Sequence, residues 1–249
     1  MILIWLSYIT ASTTPAIIII GEVVKLEKDF NWLRRNKRIL FTGISKERFF
    51  EKGFVFHLPL IKIEPLEDYQ EFDQALKDIG DYDWLIFASR YAVQYFFERL
   101  NKIGYDARRL SRTKIAAIGN STRDRLLDFG IKADLVPQVE SSRGLLSAFK
   151  NIDLENKKIF LPRSDIADKG LTEGLRALRA KVTAGIAYKN VMPQGLPDLD
   201  LNFFDEIMFT SPSGVRNFIR RYGKLPKKIK VSCIGEVTED EARKWHLLS

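Results

Sequence analysis

From residue 37 almost to the end of the chain, short apolar runs alternate with stretches whose apolar positions recur every three or four residues. That rhythm marks buried parallel strands joined by amphipathic helices. It predicts a strand over 38–42, a short helical segment ending near Gly53, and an extended apolar piece from Phe54 to Leu66. Pro59 and Pro65 bracket that piece at spacings no helix tolerates. Alternation resumes after Asp68 with helix 69–79, strand 83–88, helix 90–102, strand 114–118, helix 121–129 and strand 133–136. Helix 141–150, strand 158–161, helix 168–180 and strand 182–187 follow, with Gly104 and Gly130 as C-terminal stops. Tyr188 to Pro193 reads as a second extended piece, and the last block, 200–249, holds about two strands, 207–209 and 231–234.

Two strands cannot complete a sheet, so the last block is expected to join the strand at 38–42. The predicted fold class is α/β: two parallel-sheet domains of flavodoxin-like or Rossmann-like type joined by a two-stranded connector. The first domain is discontinuous, 37–54 plus 194–249; the connector strands are 55–66 and 188–193; the second domain is 67–187. Residues 1–36 lack the rhythm and stand apart as a tail or linker.

Two pairs of segments recur half a chain apart in the same order. Phe87-Ala88-Ser89-Arg90-Tyr91-Ala92-Val93 is echoed by Phe209-Thr210-Ser211-Pro212-Ser213-Gly214-Val215, and Ile118-Gly119-Asn120-Ser121-Thr122 by Ile234-Gly235-Glu236-Val237-Thr238. Each places a small or hydroxylated residue between a strand and a helix, where unpaired N–H groups and the positive end of the helix dipole suit a carboxylate or phosphate. Two such pairs facing each other would form a cleft for a polyanion. The competing reading is that the Ser and Thr residues only cap their helices.

Forty Lys and Arg against 32 Asp and Glu give a formal charge of +8, which favours an anionic partner. The charge does not choose between nucleic acid, phosphate metabolites and polycarboxylates; it is spread, and the dense spots Lys227-Lys228-Ile229-Lys230 and Arg108-Arg109 read as solvated faces. No nucleic-acid partner is expected. A single cysteine, Cys233, excludes an internal disulfide and fits a reducing compartment. The two histidines, His57 and His246, lie far apart without neighbours at ligand spacing, so neither a metal site nor a histidine-based nucleophile triad is expected. No nucleotide-binding glycine motif occurs. The apolar start, Met1 to Ile9, is too short for a bilayer span and is broken by the run from Thr10 to Pro15, so the expectation is a cytoplasmic protein, without membrane contact and monomeric.

Trp84-Leu85-Ile86-Phe87-Ala88-Ser89, Ile115 to Thr122, Asp134-Leu135-Val136-Pro137, Ala187-Tyr188, Phe209 to Val215 and Ile234-Gly235, taken in order, resemble the uroporphyrinogen-III synthase family over about residues 37–246. The resemblance implies a lyase that removes water from hydroxymethylbilane and closes the macrocycle with its last ring, ring D, inverted through a spiro intermediate, without a cofactor. Its substrate carries many carboxylates, in keeping with the charge. The segment Thr13 to Leu26, with Asn31-Trp32, resembles instead the C-terminal end of uroporphyrinogen-III C-methyltransferase, an enzyme known in fusions with the synthase. The methyltransferase's glycine-rich site has no counterpart here, so no methylation or S-adenosylmethionine binding is expected. Hydroxymethylbilane synthase and a methyltransferase are the implied pathway neighbours. Family members continue past the helix after Ile234-Gly235 with another strand and helix, so the first domain is expected to lack part of its sheet.

By the same resemblance Tyr188 is the candidate general acid for the departing hydroxyl. Ser89, Gly119, Asn120, Thr122, Ser211, Ser213, Gly235 and Thr238 are candidate carboxylate binders, with Arg163 a further candidate after a strand. The alternatives are a two-lobed anion-binding module and a catalytically inactive synthase fragment.

Overall fold

A computed structural model describes residues 21–26, 36–45 and 53–248. Its strands are β1 (Arg38–Phe41), β2 (Phe54–His57), β3 (Lys62–Glu64), β4 (Trp84–Phe87), β5 (Lys114–Ala117), β6 (Lys158–Ser164), β7 (Lys181–Val191), β8 (Glu206–Phe209) and β9 (Lys230–Cys233). The α-helices are α1 (Gln70–Lys77), α2 (Arg90–Lys102), α3 (Asn120–Leu127), α4 (Ser142–Phe149), α5 (Gly170–Ala177), α6 (Pro212–Tyr222) and α7 (Glu236–Lys244). The described residues divide into two compact units, one formed by the chain up to Lys62 together with Met192 onward, the other by Ile63–Val191.

In the second unit the strand order is β3-β7-β6-β4-β5, and β4 pairs in parallel with β5 and β6, and β6 with β7. Alternate residues of each strand feed opposite faces, as the pleat requires. Leu85 and Phe87 join Phe160 and the helices α1 and α2 in one core; Trp84 and Ile86 join Ile159, Leu161, α4 and α5 in the other. α2 shows why this chain forms helices where it does. Ala92, Val93, Phe96, Phe97 and Leu100 make one apolar stripe, Ser89 caps the start, and Arg99 and Lys102 complement the dipole in the last turn. Phe87, Phe96 and Phe160 are fully buried, so truncating any one to alanine costs about 3–5 kcal/mol.

In the first unit the order is β2-β1-β8-β9, all parallel. α6 and α7 cover one face over Leu40, Ile207 and Phe209; the opposite face buries Ile39, Phe41 and Met208. Arg38 ties β1 to β8 across 167 residues of sequence: its guanidinium donates to both oxygens of Asp205 at 3.0 and 2.8 Å, and its backbone N–H donates at 2.9 Å.

The expected strands and helices recur with ends shifted by a few residues, with three differences. Residues 133–136 form no strand: Leu135 makes only an isolated parallel bridge to Ala116. Phe54–His57, mostly assigned to the connector, pairs residue for residue with β1 and is the edge strand of its sheet. β7 runs unbroken through the expected boundary at Tyr188. The expected helical segment before Gly53 and most of the methyltransferase-like segment lie outside the described residues; the described part of the latter, Glu22–Leu26, forms one short 3₁₀ turn. Among the described residues no helix is long and apolar enough to cross a membrane.

Candidate active site

In an open parallel sheet the binding crevice forms at the carboxyl ends of the strands, where the winding reverses direction. In the second unit that point lies between β4 and β6, because β5 sits on one side of β4 and β6 and β7 on the other. Ser89 follows β4 there. Its Oγ accepts N–H bonds from Tyr91 at 3.0 Å and Ala92 at 3.3 Å, and lies 3.0 Å from the phenol oxygen of Tyr188.

Tyr188 reaches that place through a bulge. Arg163 pairs with Ile186 but Ser164 pairs with Tyr188, so Ala187 is the extra residue in β7. In a regular strand Ala187 and Tyr188 would point to opposite faces; here both are buried in the same core. The ring is 6% exposed, stacked on Tyr95 at 5.6 Å and tilted against Tyr91 at 6.2 Å. Burial pushes its phenol above the usual tyrosine value, and the hydrogen bond with Ser89 partly offsets this. The phenol is therefore neutral at ordinary pH and able to donate a proton. Arg90 adds a cation at the first turn of α2, its Nη2 donating to the Tyr91 hydroxyl at 3.0 Å.

The start of α3 is arranged differently. Gly119 stands at its cap position in extended backbone, and the Glu140 carboxylate lies where a side chain at 119 would be. Asn120 Nδ2 donates to the same carboxylate. The chain thus places its own acid at the N-terminus expected to receive a substrate carboxylate. Thr122, expected as a binder, is buried within the third helical position. Arg163 is engaged elsewhere: it donates to Thr172 Oγ1 at 3.1 Å, to Asp168 O at 3.0 Å and to Ala167 O, holding the loop into α5.

In the first unit the winding reverses between β1 and β8. Ser211 caps α6, accepting from Gly214 N–H at 3.1 Å, and its hydroxyl lies 3.2 Å from that of Ser213. The turn after β1, for which the sequence suggests no role, packs against this cap. A Cβ on Gly43 would lie 2.6 Å from the Phe41 ring and 2.7 Å from the Thr210 methyl, so any larger residue must push these side chains aside; the Gly43 carbonyl accepts from His57 Nε2 at 2.6 Å. A glycine directly after a strand was the available signal. Gly235 opens α7 at φ +82, a region that favours glycine, unlike its echo Gly119. Glu236 and Glu239 stand in the first turn of α7, and Thr238 is buried.

A family model described as uroporphyrinogen-III synthase HemD matches residues 46–248. The chain belongs to this family. A porphyrin biosynthesis protein HemD of Ruminiclostridium josui is 28% identical over 254 residues, taking in 94% of this chain. The chain spans about half (50%) of that protein's length. A uroporphyrinogen-III synthase of Synechococcus elongatus is 30% identical over 173 residues, 66% of this chain and 64% of its own. Among solved structures, a mutant uroporphyrinogen III synthase of Thermus thermophilus superposes with a TM-score of 0.62 at 17% identity, covering 85% of this chain and 90% of that one. At that identity the likeness speaks for the α/β fold with its parallel sheets.

Proposed function

We propose that this chain acts as a uroporphyrinogen-III synthase, a lyase that dehydrates and cyclises hydroxymethylbilane with inversion of ring D. The observation that carries the reading, beside family membership, is a buried, neutral Tyr188 held against a helix N-terminus at the crevice of its unit. The C–O bond of the hydroxymethyl group breaks as the oxygen takes a proton and leaves as water. Hydroxide is a poor leaving group, so a proton donor there contributes about 10²–10⁴-fold. Tyr188 is that donor. Linear bilane also closes without help to the uninverted isomer, so holding its two ends with the last ring turned is the protein's other task.

Within its own unit, each of the N-termini of α2 and α6 suits a carboxylate arm: Arg90 stands at the first, Ser211 and Ser213 at the second, and neither carries an acidic residue in its first turn. Asn120 and the backbone at Gly119, Gly235 and Thr238 serve arms only where these outcompete the chain's own carboxylates, while Thr122 supports its helix turn. The domains act as proposed from sequence, with the boundary moved so that Phe54–His57 belongs to the first. The segment ahead of residue 37 is related to the tail of the C-methyltransferase. Hydroxymethylbilane synthase and a methyltransferase are then its neighbours in a cytoplasmic pathway, and the chain works as a monomer.

Freshly made hydroxymethylbilane is incubated with the purified chain, the products oxidised, and the uroporphyrin I and III isomers separated against an enzyme-free control. Predominance of the III isomer is expected. Only the I isomer, from protein shown by circular dichroism to be folded, refutes the activity and leaves an anion-binding module or an inactive fragment.

A further inference from the structure

We infer that Ser89 is a positioning residue for Tyr188: its hydroxyl donates to the Tyr188 oxygen, which turns the phenol's own proton away from the protein and toward the substrate. The direction follows from counting. A serine oxygen has two lone pairs and one proton. Both lone pairs are taken by the N–H groups of Tyr91 and Ala92, at 3.0 and 3.3 Å. Ser89 can meet Tyr188 at 3.0 Å only as the donor. Tyr188 accepts, and its own O–H has no acceptor among the described residues. The ring cannot swing to offer a different geometry, because Tyr95 stacks on it at 5.6 Å, Tyr91 flanks it, and the bulge at Ala187 fixes its backbone.

The positive end of α2 is thereby passed through one hydroxyl to the phenol. A donor to the phenol oxygen stabilises charge that develops there as the proton leaves, so Ser89 acts through Tyr188 and touches no reacting atom. This contrasts with the sequence-based expectation that Ser89 binds a carboxylate arm itself. Its lone pairs and its proton are already committed within the protein.

The inference rests on the synthase reading, and its test separates the two. Ser89→Asn and Ser89→Asp have the same shape, and both can cap α2 by accepting the Tyr91 and Ala92 N–H groups. Only asparagine still carries a donor for Tyr188; aspartate can only accept from it. Incorporating tyrosine labelled with ¹³C at Cζ and titrating by NMR, with Tyr188→Phe to assign the resonance, reads the bond without activity. Ser89→Asp is expected to move the Tyr188 titration to higher pH and to lower the rate of III-isomer formation at least about tenfold, the loss that about 1.4 kcal/mol of transition-state stabilisation represents. Ser89→Asn restores both toward the parent, and the two variants melt within a few degrees of each other. A Ser89→Asp protein with the parent's titration and rate overturns the inference, as does a Ser89→Asn protein impaired equally with Ser89→Asp. If the parent forms no III isomer the synthase reading falls, while the titration still decides which residue donates.

Discussion

Replacing Tyr188 by phenylalanine removes one oxygen and its proton and leaves everything else that holds the ring. The side chain is 6% exposed and packed against Tyr91 and Tyr95, so the volume and its aromatic contacts survive. What folding loses is the hydrogen bond with Ser89, worth about 0.5–1.5 kcal/mol. In a chain of this size that lowers Tm by roughly 2–4 °C per kcal/mol. What the reaction loses is a proton donor, about 10²–10⁴-fold. The stability and rate effects therefore differ enough to be told apart at 25 °C, where the variant stays folded. Because bilane closes spontaneously to the I isomer, total porphyrin is an insensitive readout; the rate of III-isomer formation above an enzyme-free control is the measurement. The pH dependence adds a second check. Burial holds the phenol above the usual tyrosine value of about 10, so this donor stays protonated and its contribution is flat from about pH 6 to 9. A Tyr188→Phe protein that forms III isomer at the parent rate across that range refutes the donor role and leaves the hydroxyl as packing.

Three further outcomes follow from other parts of the molecule. The hydrogen-bonded Arg38 guanidinium holds the Asp205 carboxyl down to about 2, below its unfolded value, so the pair stabilises the first unit above about pH 4 and is lost as pH falls through 2. Asp205 is 41% exposed at its side chain, so after screening Arg38→Ala costs about 1 kcal/mol at pH 7, and a urea melt at pH 2 should show the difference from the parent shrinking. Glu140→Gln removes the charge at the start of α3; KM for hydroxymethylbilane is expected to fall a few-fold with kcat unchanged, and an unchanged or raised KM means no arm binds there. Gly43→Ala forces a methyl into Phe41 and Thr210, so Tm should drop by several degrees; a parent-like Tm contradicts the packing of that turn.

What the sequence made legible was whatever depends on local period. Trp84–Phe87 and Arg90–Lys102 form where their apolar spacing places them, and Ser89 and Ser211 cap the helices they precede. What it hid depends on partners far along the chain. The bulge at Ala187 is set by pairing with β6, and without it the alternation of β7 points Tyr188 the other way. Phe54–His57 is short, flanked by proline and equally extended as connector or strand; only its pairing with β1 decides. Leu135 had the apolar pattern of a strand but joins the sheet by a single bridge. Glu140 lies 20 residues from Asn120, and no sequence pattern links them.

The duplication itself divides along a line that only the fold completes, through the contact of Glu140 with Asn120. Its two serine-first members, α2 and α6, are capped by a hydroxyl and carry no acid in the first turn. Its two glycine-first members, α3 and α7, have no side-chain cap, and each is met by carboxylates of the chain: Glu140 by a tertiary contact, Glu236 and Glu239 in line. A helix end already facing an acid gains less from a second one, because the partial charge of about half a unit is offset and like charges repel. The two glycine-first ends are thus weak competitors for a polycarboxylate, and the two serine-first ends are strong ones. One of the strong ends is further specialised, since the Ser89 hydroxyl also meets Tyr188, whereas the Ser211 hydroxyl accepts from Gly214 N–H and lies beside that of Ser213. The repeat that looks like four equivalent anion sites therefore resolves into two hydroxyl-capped ends without an acid in the first turn, one of which also holds Tyr188, and two that the fold has largely satisfied by itself.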